Sequence, residues 1–165
     1  MRRFGIAVIA AVMATFGGVA LANSRSGASS DDERGEVIEL YAPTVQFAFI
    51  DLGDKGFSLG DQFVFSDDLL TEKGGKHVGF DGGVCTVVRV TDAKAQSGNT
   101  QCLVTFSLSD GQITTQDLHT LTNGNLTGTQ PGAITGGTGR FRKARGDLEV
   151  AFASNTEATI TLSLE

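Results

Sequence analysis

The sequence predicts a single all-β domain of short antiparallel strands, either a sandwich or a closed barrel. Three observations predict it. From Val37 onward apolar residues recur with a period of two rather than 3.6. Glycine-rich turn clusters interrupt that pattern at near-regular intervals. Beyond the N-terminal segment no stretch holds a helical apolar stripe for three turns. The 11 Phe residues suit a closed barrel, either packed or holding one small ligand. Pattern alone does not choose between barrel and sandwich.

The N-terminal segment is read separately. Arg2 and Arg3 precede an apolar run from Phe4 to Leu21, which closes with Ala20-Leu21-Ala22. That is a basic region, an apolar region and a small-x-small cleavage site. It predicts a signal peptide over residues 1–22 and a secreted, extracellular mature chain starting at Asn23. An uncleaved anchor is the other reading of the same run. No cysteine follows the cut to carry a lipid, and no later segment is long and apolar enough to span a bilayer. Residues 23–36 lack any large apolar side chain and are expected to form a disordered leader. The folded domain is expected over residues 37–165.

Charge narrows the partners. The signal holds two of the 13 basic residues and none of the 19 acidic ones, which leaves the mature chain at a net charge of −8. An acidic chain with one Tyr and no Trp repels phosphate, so a nucleic-acid partner is excluded.

In order along the domain, strands are expected at Val37–Tyr41, around Val45, Phe47 and Phe49, at Gln62–Phe65, Lys76–Phe80, Val84–Val90, around Cys102 to Leu108, at Gln112–Leu118, around Leu148 to Phe152, and from Ala158 to Leu164. Turns are expected at Gly53-Asp54, Lys73-Gly74-Gly75, Asp81-Gly82-Gly83, Ser97-Gly98-Asn99, Asp110-Gly111 and Asn123-Gly124-Asn125. The strands number eight or nine.

The two cysteines, Cys85 and Cys102, fall on predicted neighbouring strands, and in an exported chain that invites a disulfide. His77 and His119 stand alone, without metal-ligand spacing, so no metal is expected. No nucleophile-elbow motif is present.

Three segments carry a family resemblance. They are Leu59-Gly60-Asp61-Gln62-Phe63-Val64-Phe65-Ser66-Asp67-Asp68-Leu69-Leu70-Thr71 with His77-Val78-Gly79, then Gly83-Val84-Cys85-Thr86-Val87-Val88, then Ala133-Ile134-Thr135-Gly136-Gly137-Thr138-Gly139-Arg140-Phe141-Arg142-Lys143-Ala144-Arg145-Gly146. In order and spacing they resemble plant allene oxide cyclases. The Asp-Asp-Leu-Leu-Thr and Gly-Gly-Thr-Gly-x-Phe-x-x-Ala-Arg-Gly stretches are also similar to plant dirigent proteins. The resemblance implies an eight-stranded antiparallel β-barrel, calycin-like or allene oxide cyclase-like, often a homotrimer. It implies an apolar cavity, no cofactor, and a hydrophobic or phenolic small molecule as ligand.

Site residues follow from the same resemblance. Glu39 aligns with a cavity glutamate of the cyclases; its rival reading is a solvent-facing strand residue. Asp67 aligns with a cyclase water-binding Asn. Asp67 and Asp68 point to opposite faces, so at most one reaches the cavity. The implied catalytic pair is Glu39 and Asp67. Tyr41, Phe47 and Phe65 are expected to bind substrate. Arg145 is expected either to clamp an anion at the cavity mouth or to make an internal ion pair. Cys85 aligns with a cavity cysteine, a role that pairing with Cys102 would remove. Gly136-Gly137-Thr138-Gly139 reads as a barrel turn needing positive φ. The implied activity is cofactor-free cyclisation or stereoselective coupling, isomerase-like or dirigent-like. The alternative is a non-catalytic binding or structural barrel.

Overall fold

The computed structural model describes residues 35–165. The expected signal peptide, and the leader up to residue 34, lie outside the described residues. Nine strands follow: β1 (Glu36–Ile50), β2 (Gln62–Leu70), β3 (His77–Asp92), β4 (Ser97–Leu108), β5 (Gly111–Thr122), β6 (Asn125–Leu126), β7 (Gly128–Gly137), β8 (Gly146–Ser154) and β9 (Glu157–Leu164). Eight of them close a ring in the order β1-β2-β3-β4-β5-β7-β8-β9, with β9 returning to β1. Every pairing is antiparallel, and β6 is a two-residue addition to β5. Closure leaves the ring no free edge. Among the described residues no helix is long and apolar enough to cross a membrane.

The expected all-β fold is the one found, with four local differences. Glu36, assigned from the sequence to the leader, begins β1 opposite Leu164 and pairs with Arg140. The two short strands expected over Val37–Phe49 are one strand, bent by a register shift between Thr44 and Gln46. Asp81-Gly82-Gly83 and Ser97-Gly98-Asn99, both expected as turns, lie inside β3 and at the start of β4. Gly83 is there for close approach: a Cβ at this position would stand 2.6 Å from the Phe65 ring. Finally, β7 was not expected at all, because its glycines and Pro131 weaken the strand signal.

One end of the ring is filled. Leu69, Phe106, Ile113, Leu148 and Leu162 are each at most 2% exposed and belong to one apolar cluster. The chain seals this end with a single 3-10 turn (Gly139–Phe141) that buries Phe141. Of the expected Gly136–Gly139 turn, Gly136 and Gly137 belong to β7, and Gly139 alone takes positive φ, +58°, where an L side chain is strained.

Candidate functional site

Toward the other end the barrel stays open. Alternation along β2 sends Phe63, Phe65 and Asp67 inward, while Val64 and Asp68 face out. On β1 the bulge changes the phase: Ile38, Leu40 and Ala42 point in before it, Phe47 and Phe49 after it. With Phe57 and Phe152 these rings line a cavity of about 520 Å³, within the range of small-molecule sites. Phe63 packs against Phe47 and Phe49 at centroid separations of 6.1 and 5.3 Å.

The β1–β2 connection forms part of the mouth. Asp61 is fully buried and accepts hydrogen bonds from the Leu52 and Ser58 backbone N–H groups at 2.8 and 2.6 Å. Backbone bonds from Gly60 to the Val87 carbonyl and from Val87 to the Asp61 carbonyl tie the loop to β3. This anchorage buries Phe57 against Val87 and Leu121.

The cavity floor is polar. Asp67 of β2 faces Asp81 of β3 in register, and its N–H donates to Asp81 Oδ1 at 3.2 Å. Burial raises the Asp67 carboxyl above the usual range, with the Thr44 hydroxyl opposing in part. Asp81 is pushed up to about 8, first by burial and then by the charge of Asp67. Asp81 therefore keeps its proton near neutral pH. Asp67 Oδ1 is buried without a partner in the protein.

On the adjoining wall, β5 turns Ile113, Thr115, Asp117, His119 and Leu121 inward. His119 is held down to about 4 and Asp117 is pushed up to about 7, both by burial. His119 Nε2 lies 3.2 Å from Asp117 Oδ1, but the approach is not aligned as a hydrogen bond, so both atoms stay unsatisfied. Burial favours the uncharged form of each. Phe152 meets the His119 ring edge-on at 5.2 Å. Gly132 opposite makes room for this wall: a Cβ there would come within 2.7 Å of Asp117 Cβ.

Cys85 and Cys102 face each other on β3 and β4 and form a disulfide, with Cys85 on the cavity wall. The bridge leaves no thiol to offer a substrate. Cys85, Cys102 and His119 are, among the described residues, the one cluster with metal-ligand proximity. Joined sulfurs present no thiolate, so the set does not suit a metal while the bridge stands.

Of the residues singled out from the sequence, Phe47, Phe65 and Asp67 come together at the cavity. Three do not, and the structure corrects their expected positions. Glu39 is exposed on the outer face of β1, because its neighbours Ile38 and Leu40 take the inward positions. Tyr41 shares that outer face and sits under the Lys73 ammonium, 5.6 Å from the ring centre. Arg145 lies at the sealed end, where it donates to the carbonyls of Thr135 and Ala144. Sequence reasoning missed Asp81, Asp117 and His119. The signal for Asp117 and His119 was the alternation Ile113-x-Thr115-x-Asp117-x-His119-x-Leu121, apolar at both ends and polar between; Asp81 sat in a stretch read as a turn.

Comparisons with known proteins agree with this architecture. The family model for the allene oxide cyclase barrel-like domain matches residues 37–162. A pyocyanin demethylase of solved structure is 34% identical with a TM-score of 0.66, covering 79% of this chain and 100% of its own. A pterocarpan synthase dirigent protein is 20% identical with a TM-score of 0.60, over 80% of this chain and 94% of its own. An exo-specific intermolecular Diels-Alderase is 16% identical with a TM-score of 0.57, over 79% of this chain and 96% of its own. The last two establish likeness of fold alone. No curated protein matches the chain.

Proposed function

This chain belongs to the allene oxide cyclase barrel-like family, and from that membership we propose that it binds a flat hydrophobic or phenolic metabolite in the open half of the barrel and steers its conversion. The observation that carries the reading is the pairing of a phenylalanine-lined cavity with an Asp67 carboxyl on its wall, one oxygen of which has no partner in the protein. Aromatic walls hold a flat ring in one orientation, and confinement of that kind selects one bond-forming geometry. A carboxylate of raised pKa can take a proton or face a developing positive charge. Neither role calls for a cofactor. Glu39 has no part in this reading, since it faces away from the cavity. The demethylase that is 34% identical is named for pyocyanin, which makes a fused-ring aromatic the first ligand to try.

The protein acts after export, in this reading. The signal-like N-terminus and the Cys85–Cys102 bridge both suit an oxidising compartment. A homotrimer accords with the outward row Ala48, Val64, Val84 and Leu103, which lie opposite one another across four strands.

The experiment is to titrate the purified protein with pyocyanin, follow its absorbance, and then watch for conversion. Saturable binding is expected. Asp67→Asn is expected to slow conversion of bound ligand roughly 10²-fold, the size of a lost general acid–base group. Binding without conversion in either protein would make the barrel a carrier. No binding would remove the cavity from consideration as the site.

A further inference from the structure

The charges around the cavity say more than its shape does. Among the described lining residues there is no Lys and no Arg; the ionisable groups are Asp67 and His119. His119 is buried against Asp117 and the disulfide, with Nδ1 3.6 Å from Cys102 Sγ and Nε2 3.2 Å from Asp117 Oδ1. It offers the cavity no positive charge. Asp67 Oδ1 is buried with no partner in the protein, and the carboxyl meets the Thr44 hydroxyl but no cation; a buried carboxylate without a counter-charge is costly. The other walls are rings whose faces carry negative potential. Arg145, the cation expected at the mouth, is at the far end of the barrel.

From these groups we infer that the site selects a positively charged aromatic ligand, a quaternised or protonated nitrogen heterocycle, over neutral and anionic ligands of the same shape. The cation's ring lies among Phe63, Phe65 and Phe152, and its charge sits against Asp67. An aromatic face attracts such a charge, and Asp67, only 9% exposed, adds a direct ion pair where screening is weaker than at the surface. A carboxylate or phenolate ligand would meet Asp67 with no compensating cation. Asp81 supports the arrangement from behind: burial keeps it protonated near neutral pH, and its Oδ1 accepts the Asp67 N–H. The acidic chain also draws cations toward the protein.

This inference rests on the proposed aromatic-binding reading, and one set of probes separates the two. N-methylquinolinium, 1-methylnaphthalene and 1-naphthoate share one bicyclic frame and differ in charge. Binding of each to the full disulfide-bonded protein is measured by calorimetry near neutral pH. The expected order is cation, then neutral, then anion, with about a tenfold step from cation to neutral. Asp67→Asn is expected to abolish that step while the neutral probe keeps its affinity. Equal affinity for the first two probes, or tightest binding of naphthoate, would overturn the inference and leave the aromatic site intact. Failure of all three would overturn the aromatic site itself, and this inference with it. The wild-type comparison stands alone if the variant does not fold.

Discussion

The two ends of the barrel use the same strands in different ways. At the sealed end Leu69, Phe106, Ile113, Leu148 and Leu162 interlock, and the Gly139–Phe141 turn caps them. At the open end six Phe side chains line the walls among smaller and polar residues, and about 520 Å³ stays unfilled. The sealed half is crossed by aliphatic side chains from every wall. In the open half the rings lie along the walls, and Phe47 at the rim is 61% exposed. The closed half supplies stability, and the polar layer between the halves holds the ionisable groups that the proposed conversion would use.

Four changes break or sharpen that division, in descending size. Phe106→Ala empties the sealed half and is expected to cost roughly 3–5 kcal/mol in urea unfolding; Phe63→Ala at the mouth should cost less than half as much, yet lose most ligand affinity. Equal costs at the two positions would mean the open half is also structural. Next is the bridge between the halves. Cys102→Ser, judged by thermal unfolding beside Cys85→Ser, is expected to remove about 3 kcal/mol, as the loop-entropy rule gives for a separation of 17 residues.

Gly132→Ala comes third. The added methyl meets Asp117 Cβ and Leu148 Cδ2 at under 3 Å, and overpacking of that kind costs about 1–3 kcal/mol. The smallest effect comes from pH. Asp81 and Asp117 bind protons more tightly folded than unfolded, with values of about 8 and 7 against an ordinary 3.8. Their contribution is full at acid pH and is lost as pH rises through that window. His119 works the other way: its folded value of about 4 lies below 6.5, so its contribution is full above 6.5 and lost as pH falls toward 4. Above pH 6.5 the carboxyls alone are expected to act, and Tm should fall by roughly 5 °C toward pH 9. Asp81→Asn should flatten that slope, and an unchanged slope would remove Asp81 as its source.

The fold was legible because period-two alternation survives in most strands: β2, β4, β8 and β9 each show their inward face in the sequence. The site was legible only in part. Phe63-x-Phe65-x-Asp67 lies on an unbroken strand, so alternation alone places Asp67 with the rings. On β1 the same rule groups Glu39, Tyr41 and Phe47 on one face, and the bulge between Thr44 and Gln46 separates them. On β5 the pattern misleads, because the wet-looking residues Thr115, Asp117 and His119 face inward while Leu118 is 57% exposed outside. Burying those polar groups contradicts the ordinary reading of amphipathicity. Local rules fail here where a floor of ionisable groups has been built into an apolar barrel.

The central claim is that ligand binds in the open half against Asp67. A crystal of the protein soaked with N-methylquinolinium tests it most directly. The account predicts the bicycle between Phe63 and Phe152, with its charged nitrogen within about 4 Å of the Asp67 carboxylate, the ordinary reach of an ion pair. An empty cavity, with the probe seated on the outer wall beside Glu39 and Tyr41, would contradict it.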